Sequence, residues 1–188
     1  MKAAWLGVVV FAACQRDVPS PPPATTPTAP APMVHRGKKI GPLVVSIPEG
    51  FSVVDEMPRS LLLRHSSDLT ATLGVSMRGS PLQDEQSIMA FLTDAETNLK
   101  KIENGTVTRV VRMLPGTKRP LRGLVAFTTD TTVKPPTKEK REFWVLTDAP
   151  VIVTASFIYV EGDSTSAAAL EKVLAGVGDA VVAYEATK

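Results

Sequence analysis

Thiol and imidazole side chains, the soft metal ligands and the bases poised near neutral pH, are few in this chain, although serines are many. One cysteine, Cys14, and two histidines, His35 and His65, stand among 188 residues. There is no His-x-x-His, Glu-x-x-His or cysteine pair with the spacing of a zinc site, so no metal is expected. No serine lies in Gly-x-Ser-x-Gly, and no Gly-x-x-x-x-Gly-Lys or Gly-x-Gly-x-x-Gly run offers a cradle for phosphates. A nucleophile–base pair would have to be built on His65, which reads as a surface residue at the end of a hairpin. Asp94 and Glu96, two apart on a helix, point to different sides, as on a solvated face. Asn104-Gly105-Thr106 matches a glycosylation sequon by letter and reads as a turn. The expectation is a protein that is not an enzyme and carries no cofactor.

Cys14 stands out by its place. Lys2 gives a positive start, Ala3 to Ala13 form an uncharged apolar stretch of 11 residues, and the small residues Ala12 and Ala13 precede the cysteine. That stretch has the length of a signal-peptide core and is too short to span a bilayer. The combination resembles the lipobox of bacterial lipoproteins, with Phe11 where that family prefers an aliphatic residue. The resemblance implies that signal peptidase II cuts between Ala13 and Cys14 and that the Cys14 thiol carries a diacylglyceryl group, with further acylation of the new amine. Two or three acyl chains anchor firmly where one binds only marginally. Gln15 and Arg16 follow the cysteine in place of the Asp that retains enteric lipoproteins at the inner membrane. The resemblance therefore favours the outer membrane, on its periplasmic leaflet or its surface.

The elements that would present a folded domain from such an anchor follow in order. Val18 to Met33 holds seven of the chain's 16 prolines, interspersed with Thr, Ala and Ser. Proline fixes φ and removes backbone donors, so this tract reads as an extended spacer of about 3.1 Å per residue. The organisation expected is a signal peptide over residues 1–13, a lipidated cysteine and tether over 14–39, and one domain over 40–188. Composition suits a globular domain, with 44% hydrophobic and 21% charged residues. A net charge of +2 is too mild to suggest nucleic acid. From Arg109 to Arg141, however, nine basic residues face only Asp130 and Glu139. If adjacent hairpins brought their loops together, Lys118, Arg119, Lys138 and Lys140 would form a basic interaction patch.

Within the domain, apolar runs at Leu43–Ile47, Phe51–Asp55, Ser60–His65 and Thr70–Arg78 read as strands. The last alternates Ala71, Leu73, Val75 and Met77 with smaller or polar neighbours. A helix opens at Ser80-Pro81, carries Ile88, Phe91 or Leu92, Ala95, Leu99 and Ile102 on one face, and stops at Asn104-Gly105. Strands follow at Thr106–Leu114, Leu121–Thr129, Arg141–Thr147 and Val151–Val160, with Asp130 to Lys140 as a polar loop. A final helix is capped near Asp163-Ser164, and Gly176 and Gly178 in it either weaken it by roughly 1 kcal/mol each relative to Ala or allow close contact with the sheet. The fold class is α+β: an antiparallel sheet of about six to eight strands packed with two main helices.

This order, with Ile47-Pro48-Glu49-Gly50-Phe51 at its start, the Phe143-Trp144-Val145-Leu146 strand and a closing strand before an Ala/Leu/Val helix, resembles the PsbP-like superfamily and its DcrB-like and LpqN-like lipoproteins. The resemblance covers nearly all of residues 40–188 and implies a PsbP-like sandwich. The function expected is a non-catalytic, membrane-anchored envelope lipoprotein that binds or scaffolds an envelope protein partner. The alternative is a small-molecule carrier that uses a cleft between helix and sheet.

Overall fold

A computed structural model describes residues 37–77, 85–101 and 106–188. Cys14, its leader, the Pro-rich tract and His35 lie outside the described residues, as do Ser80-Pro81, Ile102 and Asn104-Gly105. The elements are β1 (Gly37–Ile40), β2 (Leu43–Ser46), β3 (Phe51–Met57), β4 (Ser60–His65), β5 (Thr70–Met77), α1 (Glu85–Lys100), β6 (Thr106–Met113), β7 (Pro120–Asp130), β8 (Thr137–Leu146), β9 (Val151–Val160) and α2 (Ser164–Glu185). The fold is α+β: a seven-stranded antiparallel sheet ordered β3-β4-β5-β9-β8-β7-β6, a separate β1-β2 hairpin, and two helices.

Alternation decides which face each helix covers. On β9, Val151, Val153, Ala155, Phe157 and Tyr159 point one way and are buried, while Ile152 points the other. The first face, with Leu61, Leu63, Leu73, Trp144 and Leu146, packs under α2 and the β1-β2 hairpin. The second carries Leu124, Val145 and Ile152, which pack with Ile88 and Leu92 of α1. α2 buries Leu170, Val173, Leu174, Val177 and Val181 at three- and four-residue spacing. Each contributes roughly 1.5–3 kcal/mol by leaving water. Asp163 caps this helix, its side chain accepting from Thr165 N–H at 2.9 Å.

The glycines of α2 serve close approach. A Cβ on Gly176 would come within 2.9 Å of the Ser46 carbonyl oxygen, and one on Gly178 would overlap the Pro115 carbonyl oxygen. The helix thus lies almost on the backbone of β2 and of the β6–β7 turn.

Two expectations are corrected. Gly37 to Lys39, assigned to the tether, form β1 with Ile40 and pair in full register with Leu43–Ser46. A stretch of Gly-Lys-Lys shows no apolar period, and what fixes it is the neighbouring strand and the Lys38–Glu56 ion pair at 2.7 Å. The polar loop is shorter than expected, because β8 begins at Thr137 and pairs Lys138 with Thr129 and Lys140 with Phe127. Polar residues on both sides of a partly exposed ladder leave no hydrophobic signal to read.

Candidate functional site

At the open edge of the sheet, along β6, the described surface is both apolar and concave. Between α1, β6 and β7 runs a cavity of about 400 Å³ lined by Met89, Leu92, Arg109, Val110, Val111, Pro120, Arg122 and Gly123. Val111 is 71% exposed and Met113 54%, with Met89 at 37% on the facing helix. No described strand pairs with the outer side of β6.

Edge strands are ordinarily kept from pairing by charges, bulges or cover. The opposite edge, β3, has such features: a register shift at Val53/Asp55 and the charges of Asp55 and Glu56. On β6 the arginines are drawn back onto the helices. Arg109 donates from Nε to Glu96 Oε2 at 2.7 Å and from Nη2 to Thr93 Oγ1 at 2.9 Å. Arg112 grips Glu171 with both terminal nitrogens, one at 2.6 Å from Oε1. Its guanidinium lies 5.5 Å from the Trp144 ring centre. Its hydrogen bonds to Glu171 raise its pKa. Glu96 is held below the usual carboxylate range, first by the hydrogen bond from Lys100 and then by that from Arg109.

A second cluster lies on the α2 face of β8 and β9. Glu142 is buried, and three donors converge on it: Tyr159 Oη at 2.6 Å and Lys140 Nζ at 2.8 Å on Oε1, and Trp144 Nε1 at 2.9 Å on Oε2. Burial pushes the Glu142 pKa up, but the hydrogen bonds from Lys140 and Tyr159 outweigh it and the net direction is down. Burial and then the hydrogen bond to Glu142 push the Tyr159 hydroxyl up to about 12. The arrangement is an ionised carboxylate with its oxygens satisfied, a rigid polar knot in an apolar sheet.

The sequence missed Glu142, although a signal was present. Lys138, Lys140, Glu142, Trp144 and Leu146 alternate along β8, so a carboxylate two residues before an inward tryptophan must face inward too. The groove was missed because Met89 and Val111 are ordinary apolar residues until the topology leaves one edge free.

The expected basic patch divides. Lys118 and Arg119 stand at the β6–β7 turn, whereas Lys138 and Lys140 lie near the start of β8, beside the far end of β7. Successive hairpin turns fall at opposite ends of an antiparallel sheet, here roughly 30 Å apart along β7. Arg119 also pairs with Glu185 at 2.5 Å, Lys140 with Glu142, and Arg141 with Glu139 at 2.8 Å. His65 does lie at a hairpin end, half-buried, with its ring 4.7 Å from that of Phe51. Glu96, read as solvated, joins α1 to β6. Among the described residues no group of three His, Cys, Asp or Glu is placed to hold a metal ion, and no helix is long and apolar enough to cross a membrane.

No family model matches the chain, and no curated protein matches it. Solved structures give distant likenesses. A protein from Bacteroides thetaiotaomicron VPI-5482 aligns with a TM-score of 0.43 at 13% identity, over 74% of this chain and 47% of that one, so the match spans about half of its length. The Ran-binding protein Mog1p of Saccharomyces cerevisiae aligns at 0.42 and 10% identity, over 78% and 86%. A point mutant of Mog1 aligns at 0.41 and 12%, over 80% and 91%. At these scores the groove and the polar knot have to be read from their own geometry.

Proposed function

We propose that this chain is a non-catalytic lipoprotein of the cell envelope, moored by acyl chains on Cys14, whose PsbP-like domain binds a partner protein along β6. The reading places the anchor in the outer membrane. The observation that carries the binding role is the apolar strip of Met89, Val111 and Met113 beside an edge strand whose arginines are turned away. A free edge offers unpaired N–H and C=O groups to an added strand, and alternate side chains of that strand would fall into the groove. The groove is lined mainly by apolar residues, among them Met89, Leu92, Val110, Val111 and Pro120. The partner segment is therefore an extended, mainly apolar one.

Detergent-solubilised membranes provide the test. Wild-type and Val111→Asp proteins are purified and their companions identified by mass spectrometry. A companion held by the wild type and lost from a variant of unchanged melting temperature supports the reading. Equal recovery with both overturns the β6 site. Intact mass tests the anchor: a Cys14 thiol without lipid, or a leader still attached, overturns the envelope assignment.

The carrier reading draws on one observation, the cavity volume of about 400 Å³, which falls within the roughly 300–1,000 Å³ usual for ligand pockets. Native mass spectrometry after mild extraction would show a bound small molecule in stoichiometric amount if the groove carries one.

A further inference from the structure

The β4–β5 turn and the first turn of α2 are joined by a row of four side chains. His65 Nδ1 lies 2.7 Å from Ser67 Oγ, Ser67 Oγ lies 2.8 Å from Ser166 Oγ, and Ser166 Oγ lies 2.6 Å from Asp163 Oδ2. Ser166 is fully buried. Each of these three contacts needs a proton between its two heavy atoms, since facing lone pairs repel at such distances. The two hydroxyls bring one proton each. Asp163 brings none: it is the N-cap of α2, and its carboxyl is held below the usual range chiefly by the Ser166 hydroxyl.

The third proton must come from the imidazole. We propose that the row is a pH-sensitive latch, complete when His65 bears a proton on Nδ1 and broken when the ring holds its proton on Nε2 alone. In the closed state Nδ1–H donates to Ser67 Oγ, Ser67 O–H to Ser166 Oγ, and Ser166 O–H to Asp163 Oδ2. The open state also has its contact in place. The Ser67 backbone N–H stands 3.2 Å from Nδ1, a bond that only a bare Nδ1 can accept. With Nδ1 bare the row is one proton short: when the Ser67 hydroxyl turns to Nδ1, nothing bridges the 2.8 Å between the two serine oxygens, and the Ser166 hydroxyl holds the turn only through the Ser67 carbonyl at 3.3 Å, so the turn loosens from α2.

The charged groups around the ring are few. α2 contributes Asp163. The turn contributes Arg64 and Asp68, which pair with each other at 3.7 Å. The turn before β3 contributes Glu49, beside Gly50, whose missing Cβ leaves room for the ring. The imidazolium always has the Nδ1 proton, so the latch is closed on the acid side of the ring's titration. The neutral ring holds its one proton on either nitrogen, and the latch is open in the fraction that holds it on Nε2, so opening is confined to the alkaline side.

The test uses the full chain with His35→Gln, which leaves His65 as its one imidazole. Melting temperature is followed against pH for this protein and for Ser166→Ala, with Ser67→Ala as a second probe from the other end of the row. The expected result is a gap between parent and variant that is largest in acid and shrinks as the imidazole deprotonates, tracked by ¹⁵N shifts of the ring. If Ser166→Ala does not fold, the Ser67→Ala gap decides. A gap that is constant across the titration, or that grows with pH, overturns the latch.

Discussion

Tyr159 donates its hydroxyl to Glu142 Oε1 at 2.6 Å, from one strand to the next and within a sheet otherwise packed with apolar side chains. The two residues are not register partners. Tyr159 pairs with Lys140 and Glu142 with Phe157, so the bond runs diagonally and draws in the Lys140 ammonium on the same oxygen. A neutral donor and a cation share one buried carboxylate oxygen, and Trp144 satisfies the other. Losing any one donor leaves part of a buried charge uncompensated. Tyr159→Phe is expected to cost about 1.5–3 kcal/mol, the range for hydrogen bonds to charged groups. Urea unfolding measures it, and an unchanged midpoint would remove the knot from the stability account.

The same bond sets an alkaline limit. In the fold the Tyr159 hydroxyl is pushed up to about 12, above the ordinary tyrosine value of about 10. A group whose pKa is raised on folding adds stability that is full below its unfolded pKa and is lost as pH rises through the folded one. Stability should therefore fall between roughly pH 10 and 12, and Tyr159→Phe should flatten that limb. Ultraviolet titration should show Tyr159 ionising at about 12, a step absent from Tyr159→Phe.

Glu142 sets the acid limit with the opposite sign. Its pKa is lowered on folding despite burial, because Lys140 and Tyr159 donate to the charged form. Its contribution is present above the unfolded carboxylate value and is lost as pH falls through the folded one. Glu142→Gln keeps the shape but removes the charge that Lys140 faces. It should destabilise at neutral pH and weaken the acid limb. A parallel acid limb in wild type and variant would show that other carboxylates carry it.

The divided basic residues predict independence. Lys118→Glu at the β6–β7 turn and Lys138→Glu near the start of β8 act at opposite ends of the sheet. Their effects on stability should add within about 0.3–0.5 kcal/mol, as for sites with no shared partner. A larger coupling in the double variant would mean that the two ends communicate, or meet in an assembly.

How far the sequence was legible follows from which signals are local. Ala71, Leu73 and Val75 on β5, and Leu170, Val173 and Leu174 on α2, repeat at the period of their element, and that period is a property of the chain alone. Gly37-Lys38-Lys39 and Thr137–Lys140 are strands only because a partner lies alongside, and pairing leaves no mark on one strand read in isolation. The same holds for the candidate site. Val111 gains significance from being at the last strand of the sheet order, and Lys118 and Lys138 part company because β7 is eleven residues long. The Glu142 knot lies between these cases: the alternation of β8 gives its face, but Tyr159 comes from the register of β9.

Gly178 offers the sharpest test of the packing, because propensity and contact predict opposite signs. In an exposed helix Gly→Ala stabilises by about 0.8–1.0 kcal/mol. Here a Cβ would overlap the carbonyl oxygen of Pro115, a backbone atom in the β6–β7 turn. That turn is tied to itself by Leu114 N–H donating to the Arg119 carbonyl at 2.9 Å and Thr117 N–H to the Leu114 carbonyl at 3.1 Å, so it cannot shift alone. It is also bound to the end of α2 through Arg119 and Glu185. Gly178→Ala should therefore destabilise, by about 1–3 kcal/mol as for overpacked cores. Gly176→Ala, facing the Ser46 carbonyl at 2.9 Å, should destabilise less. A stabilised Gly178→Ala would mean that α2 stands farther from the turn than described, and the ion pair between Arg119 and Glu185 would then have to reach across the added gap.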